Sequence, residues 1–141
     1  MTKKMMLTFF MLLWVAAPCL AGSGHLMKPG KWEITTSMEM PGMPMKMPPV
    51  TMTQCLTDEN PVPNQSQANQ DCQLQNVKTE GHTVSWEIVC QTDGGQMNGK
   101  GHMTYDGDRM SGVTTFNMNM PGQGKIQMTN TIKGHRIGPC D

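Results

Sequence analysis

From Trp32 to Met40 the residues alternate with a period of two: Trp32, Ile34, Thr36, Met38 and Met40 fall on one face, and Glu33, Thr35, Ser37 and Glu39 on the other. That is the pattern of a half-buried β-strand. The same alternation returns after Cys72 and runs almost to the end of the chain, interrupted only by short glycine-bearing turns. No stretch carries the 3.6-residue period of a long amphipathic helix. Strands joined by turns of two or three residues can pair only with their neighbours in opposite directions, so the chain is confined to an antiparallel sheet.

The turns set a register. Strands are expected at 32–40, 50–55, 72–79, 83–91, 96–105, 108–120 and 124–137. Asp93-Gly94 and Asp106-Gly107 are dipeptides suited to a two-residue type I′ hairpin, in which both central residues take positive φ. A turn around Glu80-Gly81-His82 closes the first hairpin of the series and Pro121-Gly122-Gln123 the last. Directly opposed residues share a face. Closing at Asp93-Gly94 pairs Cys90 with Met97, Ile88 with Gly99, Trp86 with Gly101 and Val84 with Met103. Closing at Asp106-Gly107 pairs Met103 with Met110 and Gly101 with Gly112. The last hairpin pairs Met118 with Ile126 and Phe116 with Met128. Each pairing sets apolar or glycine beside apolar or glycine. Ser85, Glu87, Lys100, His102, Arg109, Thr115, Asn117, Gln127, Thr129 and Lys133 form the outer face.

Gly99, Gly101 and Gly112 fall on the inner face, where glycine marks a bend or a close approach. Trp86 is expected to cover them, with the sheet curling around the indole. The expected fold is mostly β: a curved, half-barrel-like antiparallel meander of about seven strands. A Pro/Met loop spans 41–49. The polar segment 56–71 carries Pro61 and Pro63, with one short helical turn at Thr57-Asp58-Glu59.

The amino terminus reads as an export signal. Lys3 and Lys4 are followed by the apolar run Met5 to Ala17, and Cys19-Leu20-Ala21 offers small residues at −3 and −1 for cleavage before Gly22. The run is too short for a membrane span, and Pro18 disfavours lipid attachment at Cys19. The expected product is a single domain, 22–141, periplasmic or secreted, that does not span the membrane after cleavage. Without Lys3 and Lys4 its charge is nine bases against eleven acids, about −2. With no basic patch, nucleic acid and anionic membranes are excluded as partners.

Cys55, Cys72, Cys90 and Cys140 remain after cleavage. An even count behind an export signal implies disulfides, and no Cys-x-x-Cys spacing or nearby His suggests a metal. Strand direction selects the pairing. Cys72 and Cys90 lie at the sheet end that holds the Asp93-Gly94 turn, whereas Cys140 follows a strand ending at the opposite end. A bridge between the two ends would span roughly 20 Å, while a disulfide tolerates Cα separations of about 7 Å. Cys72–Cys90 and Cys55–Cys140 are therefore expected, provided 56–71 carries the chain between the ends. The bridges supplement a core with only four aromatic residues, Trp32, Trp86, Tyr105 and Phe116.

Several of these segments occur together in a known family. Lys28-Pro-Gly-Lys-Trp-Glu-Ile-Thr-Thr, Met40-Pro-Gly-Met-Pro, Gln54-Cys-Leu-Thr, Thr83-Val-Ser-Trp, Gly101-His-Met-Thr-Tyr-Asp-Gly-Asp and Gly134-His-Arg-Ile-Gly-Pro-Cys resemble the exported bacterial proteins known as domain of unknown function 3617. The resemblance implies a secreted or periplasmic, β-rich protein. It assigns no activity and no site residues.

Methionine is the compositional outlier, with thirteen after cleavage. Met38, Met40, Met52, Met97, Met103, Met110, Met118, Met120 and Met128 fall on the inner face by parity, where thioethers fill space left by missing aromatics. Met43, Met45 and Met47 sit in the Pro-rich loop. The function expected is non-enzymatic: an apolar or amphipathic ligand, or another envelope protein, bound on a Met-lined curved sheet with Met40, Met43, Met45, Met47, Met118 and Met120 as contacts. The alternative is Cu(I) held by Met38, Met40, Met43, Met45 and Met47, since thioethers are soft ligands. No cofactor is expected. The histidines do not assemble, no Gly-x-Ser-x-Gly elbow is present, and Asp106 and Asp108 serve a turn, so no catalytic residue is assigned. Oligomeric state is not legible.

Overall fold

A computed structural model describes residues 26–42, 47–64, 70–120, 122 and 124–141, with the backbone alone at Met120. The expected export signal, 1–21, lies outside these residues. Seven strands are formed: β1 (Gly30–Glu39), β2 (Val50–Leu56), β3 (Asp71–Glu80), β4 (Thr83–Thr92), β5 (Gly95–Asp106), β6 (Arg109–Met120) and β7 (Gly124–Gly138). They build one antiparallel sheet in the order β2-β1-β7-β6-β5-β4-β3. The meander β3 to β7 is intact, and β1 adds to its last strand as the edge hairpin β1–β2.

Edge strands β2 and β3 do not touch each other, so the sheet is a half-barrel and not a closed one. Its curl is visible in one contact. Trp32 on β1 and Tyr105 on β5 stand three places apart in the strand order, about 14 Å across a flat sheet. Their rings nevertheless meet edge to face with centroids 5.7 Å apart, across the concave face.

The register agrees with expectation on either side of the Asp93-Gly94 turn, where Cys90 opposes Met97, Ile88 Gly99, Trp86 Gly101 and Val84 Met103. It also agrees at the last hairpin, where Phe116 opposes Met128 and Met118 Ile126. Three local details differ. The second hairpin closes with Asp106 opposite Arg109, so Tyr105 faces Met110, Met103 faces Gly112, and Gly101 faces Thr114. The two-residue offset preserves the face of every side chain but moves each pairing one rung. Neither tight turn has the two positive φ values of type I′. Gly107 alone is positive in its turn, at 60°, as a type II′ turn requires. At the other turn the positive φ falls on Gly95, at 116°, one position after the dipeptide. In the first hairpin Cys72 opposes Cys90 and Leu74 opposes Ile88, yet the turn itself has two residues, with Glu80 opposite Thr83. A bulge between Gln75 and Lys78, centred on Asn76 with φ 50°, absorbs the missing residue.

The glycines are covered separately. Trp86 lies over Gly101, Ile88 and Phe116 close on Gly99, and Met103 on Gly112. The expected helical turn at 57–59 is not helical. Asn60 donates its N–H to both the carbonyl (3.0 Å) and the hydroxyl (3.2 Å) of Thr57. This side-chain competition favours a turn over a helix, and Pro61 follows at once.

The bridges Cys55–Cys140 and Cys72–Cys90 form, with Cα separations of 5.6 and 4.0 Å. The chain leaves β2 at the sheet end that holds Trp32, Tyr105 and Cys140 and enters β3 at the opposite edge and end, and the described residues 57–64 and 70 of this connection form a strap. Its Val62 is buried, the Tyr105 hydroxyl donates to the Pro61 carbonyl, and Asn64 N–H donates to Gln54 Oε1 at 3.0 Å. Together with Leu26, Met27 and Leu56 this strap fills one end of the concavity. Burial pushes the Tyr105 phenol well above its ordinary ionisation range. Among the described residues no helix is long and apolar enough to cross a membrane.

Candidate functional site

The strap and the aromatic residues fill only one end of the half-barrel. Towards the other end the concave face holds a cleft of ≈ 480 Å³, within the range of about 300–1,000 Å³ usual for small-molecule sites. Its floor is the central sheet: Ile34, Thr36 and Met38 from β1, Met128, Asn130 and Ile132 from β7, Phe116 from β6 and Met97 from β5. Val50 and Met52 of β2, with Met47 and Pro48 leading into that strand, form one wall; Pro63, Asn64 and Gln70 of the strap form another. Period-two alternation places the floor residues here, since each has inward parity on its strand.

The lining is chemically narrow. Five of its side chains are methionines, and none is charged. Met97 and Phe116 are buried, Met128 packs against the core, and Met47, Met52 and Val50 are 39, 40 and 58 % exposed at the rim. Thioethers are unbranched and polarizable, so such a wall can adapt to more than one apolar shape.

Two polar side chains, Thr36 and Asn130, stand in the floor, and of these Asn130 is buried. Asn130 is 7 % exposed, and its Oδ1 is buried with no hydrogen-bond partner among the described residues. Thr114 Oγ1 and Trp86 Nε1 are likewise unpartnered, and the three share one rung of the sheet. Trp86 opposes Gly101, Gly101 opposes Thr114, Thr114 opposes Asn130, and Asn130 opposes Met38. Of the three, only Asn130 borders the cleft.

The residues expected to bind ligand are divided. Met47 lines the cleft, whereas Met40 and Met118 do not; Met38, expected only as a copper ligand or core filler, lines it as well. Met43 and Met45, and the side chain of Met120, lie outside the described residues. Met52, Met97 and Met128, assigned by parity to core filling, border open space instead. Asn130 went unremarked although its signal is in the sequence: it is a polar residue at an inward position between Met128 and Ile132.

The convex face is different in kind. A more open concavity there, of ≈ 580 Å³, is lined by Glu33, Thr35, Asp108, Arg109, Lys133, Gly134, His135 and Arg136. Its two carboxylates have basic neighbours, Lys28 at 3.1 Å from Asp108 and His135 at 3.9 Å from Glu33, and they are outnumbered by Arg109, Lys133 and Arg136. Elsewhere on that face Lys100 sits 2.9 Å from Glu87 and, with the Asn76 amide, holds the Glu87 carboxyl below its usual range. Among the described residues no three His, Cys, Asp or Glu side chains come together as a metal site.

The sequence matches the model of a protein family of unknown function, DUF3617, over residues 27–140. The chain belongs to that family. No curated protein and no solved structure matches it. The matched span takes in all seven strands, both disulfides and the whole cleft lining, so the cleft is part of the DUF3617 domain itself. The two disulfides are consistent with an exported protein.

Proposed function

We propose that this DUF3617 protein is an exported, non-enzymatic carrier or receptor that takes a small apolar or amphipathic molecule into the Met-lined cleft. The observation that carries the reading is the cleft's lining: mostly apolar on floor and wall, with five thioethers and no charge. Apolar surface removed from water contributes roughly 25 cal/mol per Å², and a ligand in this cleft would gain chiefly by that route. The lining holds no Ser, Cys, His, Asp or Glu, which leaves it without a nucleophile–base pair of the kind hydrolytic chemistry uses. The proposed location is periplasmic or secreted, after cleavage near Ala21; protein from its native host should begin at or near Gly22.

The test is displacement of an environment-sensitive apolar dye by a medium-chain alcohol. Met52→Trp, which fills the cleft from its rim without touching the buried core, should weaken binding of both. Unchanged binding in that variant, or none in the parent protein, would refute the proposal. A second reading, Cu(I) bound by soft thioethers, is favoured by one observation: Met38 and Met47 line the same cleft as Met52 and Met128. Anaerobic Cu(I) titration separates the two, because copper but not alcohol binding should be lost when those four are replaced by leucine.

A further inference from the structure

We infer that the cleft selects a neutral ligand carrying a hydrogen-bond donor, and that Asn130 is the residue that reads it. This rests on the ligand-binding role proposed above and narrows it to a chemical class: an apolar chain or ring ending in a hydroxyl or an N–H group.

Three observations converge. First, Asn130 is more than nine-tenths buried, and its Oδ1 is unpartnered. A buried acceptor left without a donor costs about 1–3 kcal/mol, and native structures seldom leave one so. Second, the Asn130 residue lines the cleft floor, between Met128 and Ile132 on β7 and opposite Met38 on β1. A ligand whose apolar part lies against those side chains brings its polar end to the amide. Third, Thr114 and Trp86, the next members of the same rung, are 0 and 2 % exposed and offer only further unpartnered groups. Of the cleft's polar side chains, Thr36, Asn64, Gln70 and Asn130, only Asn130 is buried with an unpartnered atom, and a few placed polar groups are the usual way a pocket fixes orientation.

The charge balance decides which donor. No lysine, arginine or histidine lines the cleft, so a carboxylate or phosphate placed there would lose its hydration without gaining a counter-ion, which is strongly unfavourable. A cation would equally find no carboxylate. An ether or an ester carries only acceptors and would leave Oδ1 unmatched. An alcohol or an amide supplies the missing donor at no charge cost. Sites built around a buried polar group reject analogues that lack the matching group, because the group is then left unpaired.

The experiment compares three ligands of equal chain length, 1-decanol, decyl methyl ether and decanoate, by calorimetry near neutral pH on the mature protein and on Asn130→Leu. The parent protein is expected to bind decanol about ten-fold more tightly than either of the others. In Asn130→Leu that preference should collapse to within about two-fold, with ether binding retained. The side-chain amide resonances of the parent protein provide a second readout that does not depend on the variant's folding: those of Asn130 should move with decanol and not with the ether. Equal affinity for decanol and ether, tightest binding of decanoate, or an unmoved Asn130 amide would overturn the inference while leaving an apolar site in place. Binding of none of the three would remove the ligand-binding role as well.

Discussion

The indole of Trp86 occupies the space that a side chain at residue 101 would need: a Cβ built on Gly101 would come within 2.5 Å of ring atom Cζ2 and 2.6 Å of Cε2. The two residues are direct cross-strand partners on β4 and β5. Neither can change alone without penalty. Trp86→Ala opens a cavity at a side chain 2 % exposed and should cost about 3–5 kcal/mol. Gly101→Ala meets the ring and, at 2.8 Å, Thr114 Oγ1, and should cost about 1–3 kcal/mol. The double variant should lose less than the sum, since the cavity accepts the new methyl group. Urea unfolding of the three variants measures this, and strict additivity would show that the pair is not coupled.

How far the sequence discloses this arrangement depends on the scale. Alternation and turn chemistry are local properties, and they place the inner and outer faces of β4 to β7 correctly. A two-residue error at the Asp106-Gly107 turn leaves parity intact, so it goes unnoticed. It does, however, conceal that Gly101 faces Thr114 rather than Gly112, and hence that Trp86, Thr114 and Asn130 share a rung. The docking of 57–64 is a tertiary event: Val62 joins the buried core and the Pro61 carbonyl accepts from Tyr105, contacts that no local pattern encodes. The cleft exists because that strap fills one end of the half-barrel and not the other, so parity could identify Met97 and Met128 as inward-facing but not as bordering a cavity.

The strap gives a pH-dependent prediction. Tyr105 is the only tyrosine in the chain, 1 % exposed, and its hydroxyl donates to the Pro61 carbonyl. Its folded-state pKa is raised by burial. Above the unfolded-state value of about 10 the unfolded chain therefore releases a proton that the folded one keeps, so stability falls as pH rises through that region. Alkaline titration should show tyrosinate absorbance appearing only together with loss of tertiary circular dichroism. Ionisation near the ordinary value in an intact fold would show that the strap does not bury the phenol. Tyr105→Phe should flatten the alkaline loss.

The two disulfides should differ in worth. Cys55–Cys140 joins residues 85 apart, and Cys72–Cys90 residues 18 apart. In the loop-entropy account these contribute about 4.5 and about 3 kcal/mol. The first also ties edge strand β2 to the end of β7, so its loss releases the wall that carries Val50 and Met52. Paired Cys→Ala variants, compared by denaturant midpoint, should rank Cys55/Cys140 as the more damaging. The reverse order would mean that the β3 edge, not the β2 edge, limits the stability of the half-barrel.

The most direct test of the cleft as a ligand site is a methyl NMR titration of ¹³C-methyl methionine protein with 1-decanol. The methionines are distributed so that they report position: Met38, Met47, Met52, Met97 and Met128 line the cleft, while Met103 and Met110 are buried outside its lining. Saturable shifts confined to the first group, with Met103 and Met110 unmoved, are the result predicted. No saturable shift in any methyl, or shifts spread equally over both groups, would contradict the account.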